Sequence, residues 1–202
     1  RPHGPGRALV VAAPATTARS QELRLRITEI FRSIQGESTL VGLPTTFVRL
    51  TGCPLRCGYC DTAYAFTGGT VMSLEDIQNE ISTQAEGYPN LPTVELTGGE
   101  PLLQKESPAL MTALCDKGFT VLLETSGAHD ISMVDARVHR IVDLKCPSSG
   151  ECERNLDSNL EHLRPSDEVK FVIGTREDYQ WANEQMKKIK GRCEALFSWV
   201  NP

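Results

Sequence analysis

An open α/β sheet, a partial TIM-like barrel of about six parallel strands with fewer or shortened helices, is the fold the sequence predicts. Three observations point to it. Short apolar segments rich in β-branched residues alternate with segments of helical period, which implies βαβ units and right-handed crossovers. The 202 residues suffice for one domain with a substantial core. About six strands is too few to close an eight-stranded barrel.

The elements follow in chain order. Arg26–Phe31 and Thr45–Leu50 read as strands from their Ile, Val, Thr and Phe content. SLEDIQNEISTQA, Ser73–Ala85, puts Leu74, Ile77 and Ile81 on one helix face, and Ser73 with Asp76 resembles a cap at its start. TVEL (Thr93–Leu96) is a strand, and Ser107–Lys117 a helix closed by Gly118. FTVLLE (Phe119–Glu124) is an apolar strand, and HRIVDLK (His139–Lys145) another after a short helix around Ser132–Val138. Asn155–Leu163 reads as helical and DEVKFVI (Asp167–Ile173) as a strand. Arg176–Lys190 is a helix with lysines in its last turn, where the helix dipole favours them, and Gly191 follows. EALFSWV (Glu194–Val200) is the last strand.

Composition excludes some classes of function. Apolar residues make up 40% and charged residues 23%, the balance of a folded chain rather than a disordered one. A net charge of -5 argues against nucleic acid as the main partner. No run of eighteen or more apolar residues is present, so no membrane span is expected. The first 22 residues, rich in Ala, Pro, Gly and Arg, read as a disordered arm or a start-site remnant, leaving 23–202 as a single domain.

The chemistry gathers in TGCPLRCGYCDT, Thr51–Thr62, which holds Cys53, Cys57 and Cys60 within eight residues. Seven cysteines in all, with one tight cluster, fit reduced thiols in a cytoplasmic protein better than a disulfide framework. Cys115, Cys146, Cys152 and Cys193 read as small buried hydrophobes. Three thiolates on a four-iron cubane leave one iron open to a small molecule. A zinc site with a distant fourth ligand is the alternative, although no second C-x₂-C pair is present. Gly52 and Gly58 suit a loop that wraps a bulky cluster. Other suggestive segments also follow strands: TGGEP after TVEL, ETSG at the end of FTVLLE, and DLK at the end of HRIVDLK. In open α/β folds ligands bind at that edge. Read alone, Arg49 is equally a surface ion pair, Gln35-Gly36 a turn, Thr62 a helix cap and Glu124 a solvated strand end. His129, His139 and His162 show no ligand spacing and read as structural or exposed.

C-x₃-C-x₂-C resembles the signature of radical S-adenosylmethionine (SAM) enzymes, and TGGEP resembles their GGE motif. The resemblance implies a radical SAM core, a [4Fe-4S] cluster on Cys53, Cys57 and Cys60, and SAM chelated at the open iron and cleaved to a 5′-deoxyadenosyl radical. Glu100 is expected to face the methionyl ammonium, Lys145 the carboxylate, and the Tyr59 backbone the adenine. A narrower likeness lies in EIFRSIQGES (Glu29–Ser38), GLPTTFVRLTGCPLRCGYCDT, ELTGGEPLLQ and LLETSGAHD. These resemble the 7-carboxy-7-deazaguanine synthase family over most of the chain, from about Leu23 to Val200. That family converts 6-carboxytetrahydropterin to 7-carboxy-7-deazaguanine with loss of ammonia, on the path to queuosine, with magnesium assisting.

Carried over by residue, the resemblance puts Ile34, Gln35, Gly36, Glu37, Arg49 and Thr97 on the pterin. Arg49 pairs with the substrate carboxylate and Glu37 accepts from the guanidine-like edge. Thr62 serves magnesium. Tyr59, Cys60, Asp61, Gly98, Gly99, Glu100 and Ser126 surround the cofactor, with Asp143, Leu144, Lys145, Phe197 and Ser198. Where the family usually shows Ser-Pro-Lys or a Val-Lys variant, this chain has Asp143-Leu144-Lys145. The family usually continues past the last strand with an element that closes over the substrate, whereas the sequence here stops at Pro202. The implied partners are a small-molecule pterin, an electron donor such as flavodoxin or ferredoxin, and a second copy of the chain in a homodimer. Two other readings stand beside this one: a glycyl-radical activase acting on a protein, and a zinc-stapled binding module.

Overall fold

A computed structural model describes residues 23–85 and 93–200; the N-terminal arm expected over residues 1–22 lies outside the described residues. Eight strands form one sheet: β1 (Arg24–Ile34), β2 (Pro44–Leu50), β3 (Thr70–Ser73), β4 (Thr93–Gly98), β5 (Thr120–Thr125), β6 (His139–Asp143), β7 (Glu168–Ile173) and β8 (Glu194–Trp199). Their order is β3-β1-β2-β4-β5-β6-β7-β8, so the sheet is open, with β3 at one edge and β8 at the other. Six strands, β2 and β4 through β8, run parallel, as the sequence predicts.

The other two correct that expectation. β1 pairs antiparallel with both β2 and β3, and β3 is not among the strands the sequence predicts. The reason lies in the β1–β2 connection. Only nine residues join Ile34 to Pro44, and Gln35 and Gly42 close them with a backbone bond of 2.8 Å. A parallel crossover needs a dozen residues or more, so the pair must be a hairpin.

Helices α1 (Leu74–Ala85), α2 (Ser107–Asp116) and α3 (Arg176–Ile189) cover one face of the sheet. Ser73 caps α1 as expected: its hydroxyl accepts from Asp76 N at 3.0 Å and donates to Asp76 Oδ2 at 2.8 Å. Thr175 and Asp178 form a full capping box on α3. Ile77 and Ile81 of α1 bury completely against Leu25, Val48, Leu50 and Leu96, each contributing about 1.5–3 kcal/mol. A second cluster under α3 joins Val142, Val169, Phe171 and Ile173.

Two expected helices are absent. Over Ser132–Val138 the carboxylate of Asp130 accepts from Ser132 N (2.8 Å), and that of Asp135 accepts from Arg137 N (2.9 Å). These local turns compete with helical bonding. Asn155–Leu163 forms a 3₁₀ segment over Asp157–His162 only. There the Asn159 side chain accepts from Ile131 N and donates to Gly127 O and His129 O, which fixes the chain by tertiary bonds. β6 stops at Asp143 rather than Lys145, because Asn155 takes both backbone bonds of Lys145 at 2.9 Å.

Side chains alternate across the sheet. On β4, Val94 and Leu96 enter the helix-side core while Glu95 and Thr97 point to the other face; on β7, Val169, Phe171 and Ile173 alternate with Glu168, Lys170 and Val172. The face free of helices is therefore polar, and it lines a cavity.

Candidate active site

That cavity holds about 530 Å³, within the range of small-molecule sites. Its wall at the C-terminal end of β2 carries Cys53, Cys57 and Cys60, with Tyr59, Asp61 and Thr62 beside them. The cysteine loop is pinned from two sides. Gly58 N donates to Ser149 O (2.9 Å) and Arg56 N to Glu151 Oε1 (2.6 Å). At its start, Glu100 N donates to Gly52 O (2.7 Å). Burial pushes the Cys53 and Cys57 thiols up, while Lys145 pulls both the other way. Soft-metal binding would take the thiolate forms.

Gly98 and Gly99 end β4 directly over the Leu50–Gly52 backbone. A Cβ on Gly99 would lie 2.0 Å from Gly52 O, and one on Gly98 2.3 Å from Leu50 O. The GGE motif is thus what lets the cysteine loop and the end of β4 share one place. Glu100 itself departs from expectation. It is fully buried, and its carboxylate accepts from Leu102 N, Thr125 Oγ1, Ser126 N and Ser126 Oγ at 2.5–2.9 Å. It brackets β4 to β5 and does not line the cavity.

Next along the wall come Ser126, Asp143 and Lys145. Lys145 Nζ lies 2.9 Å from Asp143 Oδ2. Burial opposes the Lys145 charge, but Asp143 outweighs it and holds the ammonium protonated. Asp143 Oδ1 and the Tyr59 hydroxyl are buried and find no hydrogen-bond partner among the described residues. Such orphaned groups fit a polar cofactor in this corner. Ser198 of β8 also lines it, whereas two neighbours in the expected set do not. Leu144 belongs to the core under α3. The Phe197 ring packs on Phe171 (5.5 Å) and Tyr179 (6.1 Å).

The opposite mouth is built by the β1–β2 loop. Gln35, Gly36 and Glu37 line it, while Ile34 points outward and is largely exposed. Arg49 and Thr97 stand between the two ends. Arg49 donates from Nε to Glu29 Oε1 at 2.8 Å and lies over the rings of Phe31 and Tyr64, each 5.8 Å away. It is therefore both an ion pair and a wall of the cavity.

Three charged residues of this wall were not among the expected set. Glu95 of β4 accepts from Gln35 Nε2, and its carboxyl lies against that of Glu124 on β5. Glu124 in turn accepts from Lys170 of β7. Glu124 faces the cavity rather than solvent, correcting the reading of it as a solvated strand end. Burial, then the neighbouring Glu124 charge, pushes the Glu95 carboxyl up to about 9. Burial disfavours the Glu124 charge too, but Lys170 prevails and holds it down at about 2. The signal that could have found Glu95 and Lys170 is the period of two: a charged residue between apolar ones in TVELT and EVKFV marks a second, polar face. Below them Glu168 accepts from Thr39 and pairs with His139 at 2.8 Å, tying the loop to β7.

An open parallel sheet with three cysteines and GGE at its C-terminal edge defines a radical SAM protein, and the Radical SAM superfamily model matches residues 47–194. The chain is 49% identical over 161 residues to a 7-carboxy-7-deazaguanine synthase of Koribacter versatilis, covering 79% of this chain and 70% of that one. It is 45% identical over 186 residues to the one from Chlorobaculum tepidum, covering 90% and 82%. The structure of QueE from Escherichia coli superposes with a TM-score of 0.70 at 25% identity, over 87% of this chain and 83% of that one. The chain belongs to the 7-carboxy-7-deazaguanine synthase family of that superfamily, which sets aside the zinc-stapled module and the activase. As a radical SAM enzyme it depends on a [4Fe-4S] cluster, SAM and a reductant, and acts on a small molecule. Among the described residues no helix is long and apolar enough to cross a membrane.

Proposed function

We propose that this chain converts 6-carboxytetrahydropterin to 7-carboxy-7-deazaguanine with loss of ammonia, in queuosine biosynthesis. The observation that carries this reading is the shared cavity: the three cysteines face Gln35, Glu37 and Arg49 across one space. When bound, the cluster and SAM supply a radical able to abstract a hydrogen atom. Cys53, Cys57 and Cys60 hold the cluster. The Lys145 ammonium would meet the methionyl carboxylate, and Ser126, Gly99 and Asp143 would complete that end. Thr62 would supply one hard oxygen to magnesium, an ion that needs few protein ligands.

At the other mouth Gln35 and Gly36 meet the flat ring, and Glu37 accepts from its guanidine-like edge. Arg49 offers its remaining N–H groups to the substrate carboxylate, with Thr97 between. A flavodoxin or ferredoxin supplies the electron, the chain works as a homodimer, and its reduced thiols suit the cytoplasm.

The test is anaerobic reconstitution with iron and sulfide, then incubation with reductant, SAM, magnesium and 6-carboxytetrahydropterin. A deazapurine chromophore is expected from the wild type and none from Cys57→Ala, which should also lose iron. A cluster-replete wild type that cleaves SAM but forms no deazapurine overturns the substrate assignment.

A further inference from the structure

Five residues close a ring of polar contacts around the pterin mouth. Gln35 Nε2 donates to Glu95, Glu95 lies against Glu124, Glu124 accepts from Lys170, and Lys170 Nζ donates to Glu37 Oε2 at 2.6 Å. Glu37 N then returns to Gln35 Oε1 at 2.9 Å. Gln35 and Glu37 belong to the loop that meets substrate; Glu124 and Lys170 belong to the sheet. Glu95, 2% exposed, is the residue that ties the loop amide to the sheet carboxylate.

We propose that Glu95 is a positioning residue for the substrate: it aims the Gln35 amide and fixes the Glu124 carboxylate on the cavity wall. This rests on the pterin reading given above. Glu95 Oε2 accepts from Gln35, and to hold its place against the Glu124 carboxylate the same carboxyl has to donate. Only a protonated carboxyl, or an amide, does both at once. Burial and the adjacent Glu124 charge keep Glu95 in that form. Were it ionised, two carboxylates would face each other at the bottom of the site, and the link to Glu124 would become a repulsion.

The charged groups facing this pair come from every neighbouring element: Glu37 on the loop, Arg49 on β2, Asp143 on β6, Lys145 after it and Lys170 on β7. Lys145 and Lys170 are both held protonated by their carboxylate partners against burial, so they do not titrate in the range where Glu95 does.

The experiment compares wild type, Glu95→Gln and Glu95→Leu as reconstituted holoenzymes, with KM and kcat for the pterin followed from pH 7 to about pH 10. Glu95→Leu removes both contacts and is expected to raise KM about tenfold or more, a hydrogen-bond-sized effect, with a smaller change in kcat. Glu95→Gln can accept from Gln35 and donate to Glu124, so it is expected to recover most of that loss. Wild-type KM is expected to climb above about pH 9 as Glu95 ionises, while Glu95→Gln stays flat there. If Glu95→Gln loses as much as Glu95→Leu, or if both profiles climb together, Glu95 does not act by positioning. Should Glu95→Leu fail to fold, the comparison of the Gln variant with wild type decides alone. Wild-type turnover of the pterin is the control: its absence removes the functional reading itself, whereas turnover with indifferent Glu95 variants removes only this inference.

Discussion

Lys170 on β7 places its Nζ 2.6 Å from Glu37 Oε2 on the β1–β2 loop, across 133 positions of chain. The same ammonium contacts Glu124 and lies 3.5 Å from Asp143 Oδ2. One cation thus meets a carboxylate from the β1–β2 loop, one from β5 and one from β6. Its burial opposes the charge, and the three acids more than restore it.

Replacing Lys170 with Met leaves Glu124 facing the cavity without its counter-charge. Breaking a buried pair typically costs about 3–5 kcal/mol, and the lower end applies because Glu37 remains solvated. Urea unfolding should show this loss, together with a raised KM for the pterin. An unchanged midpoint would mean that the network carries no net stability.

The Glu95–Glu124 pair makes stability depend on pH from both sides. Glu124, held down at about 2, contributes stability that is present above its ordinary 4.5 and lost as pH falls toward 2. Glu95, raised to about 9, supports folding fully below 4.5, and that support is lost as pH climbs to 9. Wild type and Glu95→Gln should therefore unfold at similar urea concentrations near pH 4.5. The variant should gain on wild type by more than about 1 kcal/mol by pH 8. A gap that is constant with pH would contradict a neutral Glu95.

Gly99→Ala pushes a methyl group to within 2.0 Å of Gly52 O, next to the first cluster cysteine. Overpacking of this kind costs about 1–3 kcal/mol. The relief available is displacement of the cysteine loop, so iron retained after anaerobic reconstitution should fall along with the melting temperature. Full iron content with unchanged melting would show that the two backbones can separate freely.

Arg49→Lys keeps the charge but loses the planar fork that can hold Glu29 and a substrate carboxylate together. KM for the carboxylated pterin should rise about tenfold or more, the size of a lost charge-assisted bond. A pterin lacking the carboxylate should show no such difference between the two enzymes.

Much of the fold is legible in the order of amino acids. The helix over Ser73–Ala85 shows itself by apolar spacing and its cap, and α3 by its lysines and Gly191. Strands β4, β5 and β7 are legible as short apolar runs between turns. The failures share a cause. Ser132–Val138 and Asn155–Leu163 have acceptable helical composition, yet Asp130, Asp135 and Asn159 divert their backbone bonds to side chains. Strand direction also escapes, since strands placed at Arg26–Phe31 and Thr45–Leu50 leave room for a crossover, and only the extension of β1 to Ile34 shortens the connection to a hairpin.

In the site, Cys53, Cys57, Cys60, Gly98 and Gly99 stand out because their chemistry depends on near neighbours in the chain, whereas Gln35, Glu37 and Arg49 came only with the family resemblance. That much the amino-acid order determined by itself: the cluster loop, the glycines that let it pack, and the family to which both belong. Only the folded sheet decided that Glu95, Glu124 and Lys170, on three different strands, turn their charges into one cavity and meet the loop from its far end. A strand fixes which residues share a face, but which strands lie side by side is set by the packing of the whole sheet. The protonation of Glu95 is a property of that assembled wall rather than of any segment within it.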